Sequence, residues 1–289
     1  METKETKKKR EGKKSRGFSA GIVIVCCFVL ALFIFLFIFG NPSNFMGIDT
    51  TKLTGLDSFS AGFMDGTVGH PANLLGTVYK GGPVVVLIIT LLLTVLTLAI
   101  ERYIALNKAR GKGNLIDFVY DVKKHLENGD VKGADALCTK QKGSVAAVIS
   151  AGLRKYEEME VTTEDLTKEQ KLLAIQKDIE EATALELPSM EQNLPVIATI
   201  STLGTLFGLL GTVIGMIRSF AALATAGAPD SIALSTGISE ALINTALGIA
   251  TGALSIIFYN FFTGKIDNMT YAIDEMGFSI VQTFASKHK

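Results

Sequence analysis

Four long apolar runs, at residues 18–39, 83–100, 194–226 and 232–262, alternate with polar stretches along the chain. Each comes to roughly the 20 residues that a helix needs to cross about 30 Å of hydrocarbon. The last two exceed that minimum, which predicts that they tilt or project beyond the bilayer. Between the second and third runs the pattern changes to helical periodicity. Leu115, Val119, Val122 and Leu126 recur at spacings of three and four, a second run covers 131–137, and Gly129 and Asp130 stand between them as turn and cap. A third run covers 145–156. Thr167 opens a charged helical stretch leading into the third apolar run, with Pro188 and Pro195 as expected kinks. As one helix, residues 167–226 would be about 90 Å long, much of it a stalk outside the membrane.

Charge gives the spans an orientation. Lys4, Lys7, Lys8, Lys9, Arg10, Lys13, Lys14 and Arg16 precede the first span, whereas residues 40–82 carry only Lys52 and Lys80. The excess of Lys and Arg holds the basic tail, residues 1–17, in the cytoplasm. It follows that 40–82 is external, 101–193 a cytoplasmic helical domain, 227–231 an external turn and 263–289 a cytoplasmic tail. The 28 basic and 28 acidic residues cancel, and no basic surface suggests nucleic acid as a partner. The first span reads as an uncleaved anchor, because its apolar run ends at Gly40-Asn41-Pro42 without a small-x-small cleavage site. Cys26 and Cys27 read as apolar helix residues and Cys138 as a reduced thiol. Within 40–82, Phe59, Phe63 and Met64 allow one short amphipathic helix, and His70 before Pro71 reads as a turn histidine without a second metal ligand.

The two long spans carry different stripes. Ala198, Ser201, Gly204, Gly208, Gly211, Gly215, Ser219 and Ala222 follow one another at spacings of three or four on one helical face. Such a face lets backbones approach closely, which drives helix association in lipid, so Gly204, Gly208, Gly211 and Gly215 are expected to be helix-packing positions. In the fourth span Thr236, Glu240, Asn244, Thr251 and Ser255 fall within about 100° of one another. A carboxylate at mid-bilayer costs about 2.5 to 3.5 kcal/mol, so Glu240 is expected to face a bundle interior or a hydrated path and to carry protons. Hydroxyls and the Asn244 amide can hold ordered water beside it. Thr212 could complete this lining, whereas Thr245, about 140° round from Glu240, faces a neighbouring helix.

Several of these residues form a known constellation. Gly208-Leu209-Leu210-Gly211-Thr212-Val213-Ile214-Gly215, Ser219-Phe220, Gly237-Ile238-Ser239-Glu240-Ala241-Leu242-Ile243-Asn244-Thr245-Ala246 and Tyr259-Asn260 resemble, in order and spacing, the core signature of the MotA/TolQ/ExbB proton-channel family, on its ExbB/TolQ side. The resemblance covers residues 81–284. It implies a subunit of a bacterial inner-membrane motor driven by the proton-motive force. The subunit would assemble as a pentamer around an ExbD/TolR-like single-span partner and drive a TonB-like or TolA-like protein. By motif, Glu240 matches the family's membrane glutamate, and Thr212 and Thr245 its two pore threonines; Asn244 stands where relatives carry alanine, so its place on the proton path rests on helical geometry.

The expected fold is therefore all-α: a polytopic membrane protein with four transmembrane helices, a three-helix family core plus one extra N-terminal helix, and a helical cytoplasmic stalk domain. The extra span puts both termini in the cytoplasm and leaves the core's orientation unchanged. Arg218 stands where relatives tend to be neutral, and Asp230 is its expected partner at the interface. No nucleotide loop, H-E-x-x-H motif or catalytic triad occurs, and with three histidines far apart the chain reads as a transducer without cofactor or metal, not an enzyme. Coupling to envelope integrity, gliding or secretion, a solute transporter, and a membrane scaffold are the other readings; a scaffold should tolerate Glu240→Gln.

Overall fold

The computed structural model describes residues 19–46, 70–162, 166–225 and 231–287. Over these the protein is helical: α1 (Ala20–Phe33), α2 (Leu74–Lys80), α3 (Pro83–Arg110), α4 (Leu115–Glu127), α5 (Val131–Gln141), α6 (Gly143–Val161), α7 (Lys168–Glu191), α8 (Leu194–Thr225) and α9 (Ser231–Lys287). Pairing of strand type among the described residues is confined to an isolated bridge between Phe45 and Pro71. Four helical stretches are long and apolar enough to cross a membrane, which makes this an all-α polytopic membrane protein.

Local chemistry sets most of the helix starts. Asn73, Asn114 and Asp130 cap α2, α4 and α5 by accepting from the backbone N–H groups of Gly76, Ile116 and Gly133. Thr167 and Gln170 form a reciprocal capping box at the start of α7. Three features differ from the hydropathy reading. The last turns of the first span, Ile34–Phe39, are π-helical. The stretch from 167 to 226 is two helices, because Asn193 adopts a φ of 66° between them; Pro188 lies inside α7 and Pro195 is the second residue of α8. Beyond residue 262, where a tail was expected, α9 continues to Lys287. Phe59, Phe63, Met64 and Asp230 lie outside the described residues.

The chain divides into two compact units, residues 1–101 with 199–255, and residues 102–198 with 256–289. In the first, Ala31 and Phe35 are buried against Phe45, Val78, Tyr79, Val85 and Ile89, with the Phe35 and Tyr79 rings stacked at 4.6 Å. In the second, Ile149, Leu153 and Tyr156 of α6, Ile175 of α7 and Ile273, Met276, Ile280 and Phe284 of α9 are all buried, and the Tyr156 and Phe284 rings meet edge to face at 5.0 Å. Arg102 is buried there and donates to the carbonyls of Ser189 and Met190, at 3.2 and 3.3 Å, near the C-terminal end of α7.

Candidate functional site

The site belongs to the first unit, where α8 and α9 approach backbone to backbone. A Cβ added to Gly248 would come 2.5 Å from the Gly204 carbonyl and 2.7 Å from the Gly208 Cα. One added to Gly211 would meet the Asn244 Cβ at 2.5 Å, and one on Gly215 the Ala241 Cβ at 2.8 Å. These separations fall inside ordinary van der Waals contact, so glycine is what lets the two helices come this close. The glycine stripe of α8 therefore faces Gly248, Asn244 and Ala241 of α9.

Across this contact the Thr212 and Thr245 hydroxyls form a short hydrogen bond. One hydroxyl proton serves that bond and the other goes to a backbone carbonyl, the Gly208 oxygen lying 3.1 Å from Thr245 Oγ1 and the Ala241 oxygen 3.4 Å from Thr212 Oγ1. The two threonines thus bridge backbone groups that the glycines expose, on the α8 side of α9.

Glu240 takes a different direction. It is half-buried and lines a cavity of about 240 Å³ with Lys80, Gly81, Arg218, Ser219 and Asn244, among others. This volume holds several waters, since each occupies about 30 Å³ of liquid. Asn244, one helical turn beyond Glu240, donates from Nδ2 to the Gly81 carbonyl at 3.2 Å and so pins the turn between α2 and α3 onto α9. Its Oδ1 is buried, faces no donor among the described residues, and leaves an acceptor for water. Ser219, hydrogen-bonded to the Gly215 carbonyl at 2.9 Å, sits against Gly237, where an added Cβ would meet its hydroxyl.

Of the residues singled out in the sequence, Glu240, Asn244 and Arg218 meet at the cavity, and Thr212 and Thr245 meet at the helix contact beside it. His70, read as a turn histidine, is exposed and also lines the cavity. Lys80 was not singled out. Its one sequence signal is that it is one of only two cations in residues 40–82. The arrangement presents one carboxylate, two cations and unfilled polar capacity around a small polar space beside an apolar helix pair. Such a space can pass a proton on and off a carboxylate.

Residues 140–275 match the model of the MotA/TolQ/ExbB proton channel family. The chain is 37% identical over 86 residues to the putative biopolymer transport protein ExbB-like 3 of Synechocystis sp., an alignment covering 29% of this chain and 41% of that protein. It is 37% identical over 84 residues to the Tol-Pal system protein TolQ of Pseudomonas aeruginosa, covering 29% of this chain and 36% of that one. A longer alignment, 26% identical over 206 residues, joins it to a putative biopolymer transport protein ExbB homolog of Methanothermobacter thermautotrophicus, covering 71% of this chain and 68% of the relative. The two shorter matches thus span about two fifths of the relatives concerned.

Proposed function

We propose that this chain, a member of the MotA/TolQ/ExbB proton channel family, is the proton-conducting subunit of a bacterial inner-membrane motor. Glu240 takes up and releases the coupled proton and Asn244 holds water beside it; Thr212 and Thr245, hydrogen-bonded at the helix contact next to that cavity, extend the path along α8. The observation that carries this reading is the half-buried carboxylate of Glu240 on a small polar cavity within an apolar helix. A charged group placed there must repay its insertion cost through function. The membrane potential would supply about 2.3 kcal/mol per proton per 100 mV.

In this reading both termini and the second unit are cytoplasmic, and residues 40–82 and 227–231 face the periplasm. Copies assemble as a pentameric ring around an ExbD/TolR-like single-span partner and energise a TonB-like protein for outer-membrane transport. A Tol-type role in envelope integrity is the second reading, favoured by the fact that TolQ and ExbB-like 3 match at the same 37% identity.

Proton flux into proteoliposomes holding the chain and its single-span partner, under an imposed potential, tests the proposal. Glu240→Gln should abolish flux while the complex still assembles. Flux equal to wild type would remove Glu240 from the path and leave it a structural residue.

A further inference from the structure

The second unit carries a larger cavity, about 730 Å³, that the proton path does not use. Its lining is amphipathic. Leu106 of α3, Val119 of α4, and Met269 and Ala272 of α9 supply an apolar floor. Arg110, Lys123 and Lys265 supply three cations against the one carboxylate of Glu275, and the rings of Tyr120 and Tyr271 stand exposed at its edge. Lys265 is held over the Tyr103 ring at 4.6 Å and the Phe261 ring at 4.7 Å, so its charge is positioned within an aromatic setting. Arg110 and Lys123 make no ion pair with any described residue. A groove of this kind fits an acidic helix with an apolar edge.

The chain itself presents such a helix. One face of α7 is used at home: Ile175 and Ile179 are buried, and Ile179 packs on Gly152 of α6. The opposite face bears Glu180, Glu181, Ala184 and Leu185, all exposed, with Leu185 at 78% exposure despite being a large apolar residue. From residue 178 to 191 the helix carries Asp178, Glu180, Glu181, Glu186 and Glu191 and no cation.

We infer that the groove formed by α3, α4 and α9 receives the acidic outer face of α7 from a second copy of this chain. The contact is heterologous, joining two different surfaces, and a repeated heterologous contact closes into a ring if its rotation allows. The inference rests on the ring assembly proposed above and names the surfaces that would join its subunits.

Two differently tagged copies of the full chain test it, one carrying Leu185→Cys and the other Tyr271→Cys, co-expressed in a Cys26→Ser, Cys27→Ser background that keeps the buried Cys138. Mild oxidation should give a disulfide between the two tags and none with either cysteine variant alone. Glu180→Lys with Glu181→Lys on the first copy should lower that yield by about tenfold, and Lys123→Glu with Lys265→Glu on the second should restore it. Intact oligomers by mass photometry with normal proton flux but no cross-link would overturn the interface and leave the motor reading standing. A Leu185→Cys homodimer would equally overturn it, as a two-fold contact. Protection of Tyr271→Cys from maleimide only in vesicles of anionic lipid, or only with the single-span partner, would assign the groove to that occupant instead. Absence of both oligomers and flux would overturn the interface and the ring together.

Discussion

Cys138 is 3% exposed in α5, and burial, reinforced by the nearby Asp135 carboxylate, pushes its thiol up to about 12 from an ordinary 9.0. Lys287 is raised in the same unit, chiefly by its hydrogen bond to Glu160 at 2.8 Å, and burial raises Tyr156 beside it. In each case the folded chain keeps a proton that the unfolded chain releases sooner. Stability linked to these groups is therefore fully present below pH 9 and is lost as pH climbs from about 9 towards 12. Denaturant unfolding followed from pH 8 to 11 should show this decline, with a shallower slope in Cys138→Ala; an unchanged slope would mean that the thiol titrates alike in both states. The residue scale is also where the sequence divides most sharply into readable and unreadable. Glu240 announces itself as a carboxylate among apolar neighbours, Thr212 by its position beside the glycines, and Thr245 by its place in the family motif. The bond from Asn244 to Gly81, across 163 residues, has no local signal, and neither has the approach of Lys80 to the cavity. Helical geometry fixes which way a side chain leaves its own helix but not which loop comes to meet it.

At the scale of elements, glycines with the same sequence appearance separate by what surrounds them. Gly248 would place a Cβ against backbone atoms of Gly204 and Gly208, which cannot move without parting α8 from α9. Gly264, sixteen residues along the same helix, has nothing within 4 Å of the same position. Gly248→Ala should therefore lower the thermal midpoint of the solubilised protein and break the Thr212–Thr245 bridge. Gly264→Ala should leave the midpoint unchanged or raise it, alanine being favoured over glycine inside a helix by about 0.5 to 1 kcal/mol. Equal effects from both would show that backbone contact is not what holds the pair. The close approach itself was legible, because small residues at spacings of three and four mean little else in an apolar helix. The length of α9 was not. Hydropathy falls at Lys265 and Asp267 and so marks the end of a span, yet Ile266, Met269, Ile273, Met276, Ile280 and Phe284 continue the helical period and are buried. The helix outlasts its membrane signal because it exchanges lipid for a protein core.

For the whole molecule the open question is what the extra N-terminal helix contributes. The first span packs on the rest of its unit through Ala31 of α1 and Phe35 of the π-helical turns that follow, and Cys27 Sγ lies 3.8 Å from Thr97 Oγ1 on α3. In lipid, removing that helix would uncover Tyr79, Val85 and Ile89 to acyl chains and not to water, so the loss is one of fitted packing and of the Phe35–Tyr79 stack, about 0.5 to 1.5 kcal/mol for the ring pair. None of its residues lines the Glu240 cavity. A chain beginning at residue 40 should accordingly unfold at lower temperature in detergent while its reconstituted complex keeps proton flux that depends on Glu240. Orientation gives the same experiment a second readout. The basic residues flanking the remaining spans still favour the sides proposed for them above, so the truncated chain should place its new N-terminus outside and leave the core as it was. A Gly264→Cys label should then stay inaccessible to an impermeant maleimide from the periplasmic side in both lengths of chain. Labelling that appears only in the truncated form would mean that the first helix and its basic tail set the topology of everything after them, and flux would be lost with it.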